Sequence, residues 1–311
     1  MNKRYRAGLA ALLALTLLAA GCSEVDESES LSTKSTAPMP AVTTAAPTIT
    51  TRPPDTTVAE TAVPTLATVG NDLTREQIEA LESTMVTWGP GKAVDGDNRP
   101  TAPVSLQEQY GKYDAVFIGE PNGKIYLTFD EGYENGYTPK ILDVLKEKNV
   151  KAVFFITGAY AKSQGDLIRR MIDEGHVLAS HSMTHPGGTK PKLPELSYDQ
   201  IVNEIVELHD YVLEHYDYTM TLFRPPEGVF SERSLAIAQK LGYKSVFWSF
   251  AYADWNPDQQ PDRAEALAKV TGASHDGGVF LLHAVSKTNT EILPEVIDHF
   301  RSKGLSVEPL Q

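Results

Sequence analysis

Cysteine is almost missing from this chain: 311 residues contain one, Cys22. An internal disulfide is therefore excluded, and so is a cysteine-ligated zinc site. Cations are scarce too. Lys and Arg total 28 against 41 Asp and Glu, a net charge of −13, which argues against nucleic acid as a partner. The apolar run at residues 7–20 spans 14 residues, short of the roughly 20 that a membrane-crossing helix needs. Residues 23–69 hold no aromatic side chain. Such a segment cannot bury enough apolar surface to offset its chain entropy. There is no glycine fingerprint for a nucleotide and no internal repeat.

What is present begins with a leader. Lys3, Arg4 and Arg6 precede the apolar run, and "LAAGC" follows it. This pattern fits a secretory signal, and its end resembles the lipobox of bacterial lipoproteins, with Cys22 acylated. Residues 1–22 are thus expected to be a lipoprotein signal and 23–70 a Ser/Thr/Pro-rich tether. With Cys22 lipidated, no thiol remains for catalysis. The folded part is expected on the outer face of the cytoplasmic membrane. Residues 71–123 form a preamble with a short helix near 76–82 and an irregular Pro/Gly-rich stretch, and 124–311 carry the regular pattern.

From Lys124 strands and helices alternate. The expected strands are 124–130, 151–157, 176–180, 221–224, 244–250, 278–283 and 304–310. Helices are expected from Thr138-Pro139, Asp166, Ser197, Ser231, about Arg263 and about Thr290. Seven strands alternating with six helices imply an α/β fold with a parallel sheet, a closed or nearly closed barrel. Polar residues fall just past five strand ends: Asp130 and Glu131, His181 and His185, Arg224, Asp254, His283. Barrel enzymes place their chemistry at that rim.

Each group invites a chemistry. Two histidines four apart in "SHSMTH" can face one metal, although the spacing alone is weak evidence. Two imidazoles and one carboxylate suit zinc or another divalent ion. Asp130 and Glu131 could be a glycosidase pair, but neighbours on a strand point to opposite faces. A division of labour, one acid on metal and one as base, fits better. Prolines after Arg224 stiffen its turn, and a guanidinium near Asp130 would keep that acid ionised. His283 ends an apolar strand, where Asp254 could hold it protonated.

"TFDEG", "SHSMTH", "RPPEG", "ADW" and "LLH", in this order, resemble the five motifs of the polysaccharide deacetylases, carbohydrate esterase family 4. The resemblance spans about 124–310. It implies a distorted (β/α)7 barrel and a metal-dependent hydrolase of N-acetyl groups. It implies Asp130 as base, Arg224 as its orienting partner, His283 as acid and Asp254 as its tuner. Glu131, His181 and His185 would hold a divalent metal, zinc first. Tyr133, Pro226, Glu227 and Trp255 would meet the sugar. Glu131 stands where the family usually has aspartate, and Glu227 where many members carry tyrosine. "GYENGYT" and the "TWGPG" preamble resemble the branch acting on N-acetylmuramic acid of peptidoglycan, on the route to muramic δ-lactam of spore cortex. Alternatives are deacetylation of N-acetylglucosamine in peptidoglycan or chitin oligomers, and an inactive barrel that binds wall glycan. The partner implied is a glycan strand, and the protein is expected to be a monomer.

Overall fold

The computed structural model describes residues 70–311. The leader, Cys22 and the tether lie outside the described residues. Nine helices carry the outer layer of the described part: α1 (Arg75–Glu79), α2 (Thr101–Tyr110), α3 (Thr138–Glu147), α4 (Gly158–Ser163), α5 (Gly165–Asp173), α6 (Tyr198–Tyr216), α7 (Glu232–Lys240), α8 (Arg263–Gly272) and α9 (Lys287–Ser302). The sheet is built from β1 (Ala115–Val116), β2 (Lys124–Glu131), β3 (Val153–Ile156), β4 (Val177–Ser180), β5 (Leu222–Phe223), β6 (Lys244–Val246), β7 (Gly278–His283) and β8 (Ser306–Val307). All its pairings are parallel.

The strands run β2-β3-β4-β5-β6-β1 across the sheet, with β7 and β8 both on β2. Past Val246 the chain leaves β6 and meets β7 through a Phe250–Phe280 bridge. That bridge curls the sheet into the expected distorted barrel. The pleat then sorts the side chains. Tyr126, Val153, Phe155, Ala179, Leu222, Val246 and Val279 form the inner cluster. Leu127, Phe129, Phe154, Ile156, Leu178 and Phe223 belong to the larger core shared with the helices.

Several expected boundaries move. The strand expected at 244–250 stops at Val246, because its continuation pairs with β7 instead. The last strand shrinks to two residues. α2 begins inside the stretch read as irregular, with Pro103 in its first turn, where a missing N–H is harmless. Thr138 opens α3 without capping it. Its hydroxyl turns instead towards Glu131, at 3.4 Å from each carboxylate oxygen. The preamble is stitched to the barrel. Val86–Thr87 pairs antiparallel with Val229–Phe230, and the Trp88 indole donates to the Trp248 carbonyl at 3.0 Å.

One buried histidine outside the site has a measurable consequence. The His176 ring is enclosed, edge-on to Phe154, and its Nδ1 accepts from the Ala152 N–H. Burial, helped by Lys151, pushes its pKa down to about 4. The folded state therefore refuses a proton that the unfolded chain accepts near its ordinary value. Stability is full above about pH 6.5 and falls as pH drops towards 4, by about 3 kcal/mol at ~1.4 kcal/mol per pH unit. His181, held down to about 4 mainly by burial, adds a loss of the same sign. The change in urea midpoint between pH 5 and pH 7 should shrink when His176 is replaced in His176→Asn, and an unmoved pH difference in the variant would refute the assignment.

Candidate active site

Asp130, Arg224, His181 and His283 reach one mouth because strand ends deliver them there. Asp130 and His283 are direct partners across β2 and β7. Arg224 and His181 extend β5 and β4 by one residue past the Ser180–Phe223 pair. By pleat parity all four face the inside of the barrel. They border a cavity of about 550 Å³, except Arg224, which lies fully buried behind it.

Arg224 is the hub. Its Nη1 donates to Asp130 Oδ1 at 2.6 Å, Nη2 to the Thr128 hydroxyl at 2.9 Å and the Phe247 carbonyl at 3.1 Å, and Nε to the Val246 carbonyl at 3.1 Å. The guanidinium lies 4.0 Å from the Phe155 ring centre, a desolvated cation–π contact worth up to about 2 kcal/mol. Burial works against the Asp130 carboxylate, but Arg224, with His181 and His283, outweighs it and holds the pKa below its ordinary value. Asp130 is thus a buried carboxylate that favours its ionised form.

On the other side His283 Nδ1 lies 2.7 Å from Asp254 Oδ1, and its backbone N–H donates to Oδ2 at 2.9 Å. Burial would lower the imidazole pKa, yet the hydrogen bond and charge of Asp254 raise it above the ordinary value. Asp254 is fully buried. The cavity therefore pairs an acid that has lost its proton with a histidine that holds one.

His181 Nδ1 bonds the Arg224 carbonyl at 2.9 Å. A carbonyl only accepts, so Nδ1 carries the proton and Nε2 keeps a free lone pair. That Nε2 stands 3.5 Å from Asp130 Oδ2. His185 adopts a left-handed backbone, φ 54°, and its ring lies 4.9 Å from that of His181. An imidazole held from behind by a carbonyl is the arrangement found around metal-ligating histidines. The two histidines fit a divalent cation. Among the described residues, however, no third His, Cys, Asp or Glu joins them in a ligating cluster.

Glu131, the third ligand expected from the sequence, is where the expectation fails. It occupies the opposite face of β2, in the row of Ile156, Ser180 and Phe223. Its carboxyl is fully buried behind the strand against Thr138, with Glu134 and Tyr160 nearby. Burial, then Glu134, raises its pKa well above the ordinary carboxylate value. The folded chain keeps a proton there that the unfolded chain gives up, so this site costs stability as pH rises above about 4.5. Glu131→Gln, neutral and of equal size, should retain turnover and bound metal and be more stable than the parent at pH 8. Loss of metal in that variant would restore Glu131 to the ligand set.

The sugar-contact residues divide. Trp255 and Glu227 border the cavity, Trp255 more than half exposed with its ring 6.0 Å from that of His283. Pro225, rather than Pro226, faces the cavity, and Tyr133 is exposed but outside its lining. Glu227 sits at φ 57°, strained for a residue with a side chain. Its carboxylate accepts from the Gly188 N–H at 2.7 Å and pairs with Lys192 at 3.1 Å, which pins the two loops together. Gly228 beside it has φ 64°, and a Cβ there would lie 2.5 Å from the Trp248 ring. Sequence reading missed Thr128, although it lies inside "TFDEG", and Tyr252 and Asn289, which no motif signals.

Residues 119–246 match the family described as polysaccharide deacetylase. The chain is 40% identical over 236 residues to the peptidoglycan-N-acetylmuramic acid deacetylase PdaA of Bacillus subtilis, covering 75% of this chain and 88% of that one. The solved structure of B. subtilis PdaA, a family 4 carbohydrate esterase, superposes with a TM-score of 0.68 at 38% identity, over 74% of this chain and 96% of the other. A peptidoglycan-N-acetylglucosamine deacetylase of Bacillus cereus is 32% identical over 199 residues, 62% of this chain and 69% of its own. With that family match, and a relative 40% identical over 75% of this chain and 88% of its own, the chain belongs to the polysaccharide deacetylase family, carbohydrate esterase family 4.

Proposed function

We propose that this protein hydrolyses the N-acetyl group of N-acetylmuramic acid in peptidoglycan, leaving acetate and a free amine. The observation that carries the chemistry is the complementary pair across β2 and β7, Asp130 ionised by Arg224 and His283 protonated by Asp254. Environments that push two titratable groups apart in this way assign base and acid. Asp130 takes a proton from water as its oxygen adds to the acetamide carbonyl carbon. The C–N bond then breaks, and the proton on His283 Nε2 passes to the leaving nitrogen. His181 and His185 would hold a divalent cation, zinc being well suited to imidazole, and when bound it polarises the carbonyl. Trp255 offers a flat face at the cavity mouth for a sugar ring.

The choice of sugar rests on the identity to PdaA and on "GYENGYT". Deacetylated muramic acid carries an amine and a lactyl carboxylate on one ring, the two groups that condense to the δ-lactam of spore cortex. The leader and Cys22 support a lipid anchor that holds the protein at the outer face of the cytoplasmic membrane. The experiment is mass analysis of glycan fragments from peptidoglycan incubated with the metal-loaded protein. Muramic acid should lose its acetyl group. Loss from glucosamine instead would establish the N-acetylglucosamine reading, and no acetate from either sugar would leave an inactive wall-binding barrel.

A further inference from the structure

Asn289 lies in the first turn of α9, six residues past His283, and is almost fully buried. Both ends of its side-chain amide are engaged. Its Nδ2 donates to Asp254 Oδ2 at 2.5 Å and to the His283 carbonyl at 3.1 Å. Its Oδ1 takes the hydrogen bond of the Tyr252 hydroxyl, and its backbone N–H is held by the Ser286 side chain that caps the helix.

The direction of these bonds is forced. An amide oxygen can only accept, so Tyr252 must donate to it. The Asp254 carboxylate and the His283 carbonyl only accept, so the NH₂ end must be the one that faces them. A flipped amide would set its oxygen against both of these acceptors, whereas the Tyr252 hydroxyl could meet either end. Asp254 then has a complete set of donors: His283 Nδ1 on Oδ1, the His283 backbone N–H and Asn289 Nδ2 on Oδ2. Tyr252 in turn borders the cavity. A continuous chain of hydrogen bonds therefore runs from the cavity wall through Tyr252, Asn289 and Asp254 to His283.

We propose that Asn289 is a positioning residue for the proton donor, and that Tyr252 buttresses it by donating to its amide oxygen. Asn289 keeps the Asp254 carboxylate turned so that Oδ1 meets His283 Nδ1. The imidazole is thereby left with its Nε2–H directed at the cavity. This inference rests on the reading of His283 as the acid.

The test uses the metal-loaded full-length chain with four variants. Asn289→Leu keeps the side-chain shape and donates nothing. Its kcat should fall about 10- to 100-fold, the range typical of outer partners that orient a functional imidazole, with KM nearly unchanged. Tyr252→Phe keeps the ring against the cavity and leaves the amide oxygen without its donor. It should lower kcat by a smaller factor, and the Tyr252→Phe, Asn289→Leu double variant should be no slower than Asn289→Leu alone, because Tyr252 acts through Asn289. The downfield proton resonance of the His283 Nδ1–H bond to Asp254 should shift or broaden in both single variants. Full activity in Asn289→Leu, or strictly additive losses with an unmoved resonance, would overturn the proposal. His283→Ala separates the premises: if it is fully active, the acid assignment fails and the proposal with it, whereas an inactive His283→Ala beside a fully active Asn289→Leu refutes only the role of Asn289.

Discussion

Arg224→Met should leave a chain that is about 3–5 kcal/mol less stable than its parent, the usual consequence of stripping one partner from a buried ion pair. Methionine fills much of the space but carries no donor. Asp130 Oδ1, the Thr128 hydroxyl and the carbonyls of Val246 and Phe247 would each lose a hydrogen bond from a residue that is wholly inside the protein. Burial would then dominate at Asp130 and drive its pKa up, so the surviving folded molecules would hold a neutral carboxyl where a base is needed. The urea midpoint and the turnover number should fall together. A midpoint close to that of the parent would mean that the four acceptors find other donors.

Asp130→Asn tests the other half of the pair. An amide still accepts from Arg224 but cannot take a proton, so turnover should fall by about 10²–10⁴-fold, the range for removal of a general base. Bound metal should stay with His181 and His185 in this variant, which separates loss of the base from loss of the ion. Some loss of stability should accompany it, because the guanidinium loses its countercharge. Full turnover in Asp130→Asn would remove it from the base role.

How far the site was legible in the sequence follows from which interactions are local. Asp130, His181, Arg224 and His283 could be read because each follows a recognisable strand, and in a parallel barrel strand ends converge. Asp254 follows the Phe250–Phe280 bridge by four residues, so it still falls beside His283 although the strand of "KSVFWSF" stops early. Glu131 shows how far the pleat rule reaches: strand neighbours point apart, so of the two acids only Asp130 enters the cavity and Glu131 turns towards Thr138. Asn289 was invisible because an amide on a helix carries no spacing signature. Its role exists only through Tyr252 and Asp254, more than 30 residues away in the chain. The α2 helix was hidden by prolines that read as breakers but fall at or before its first turn.

β2 carries more pairings than any other strand described: β3, β7 and β8 all align on it. Its two consecutive acids have opposite surroundings, so a slip of one residue along those partners would present a protonated glutamic acid to the cavity and bury the base among the helices. A misregistered barrel would be close in shape to the correct one and chemically dead. Three partners on one strand make such an error expensive, since each would have to slip with it. The accuracy with which this strand zips into place during folding is thus the accuracy with which Asp130, the proposed base, reaches the cavity.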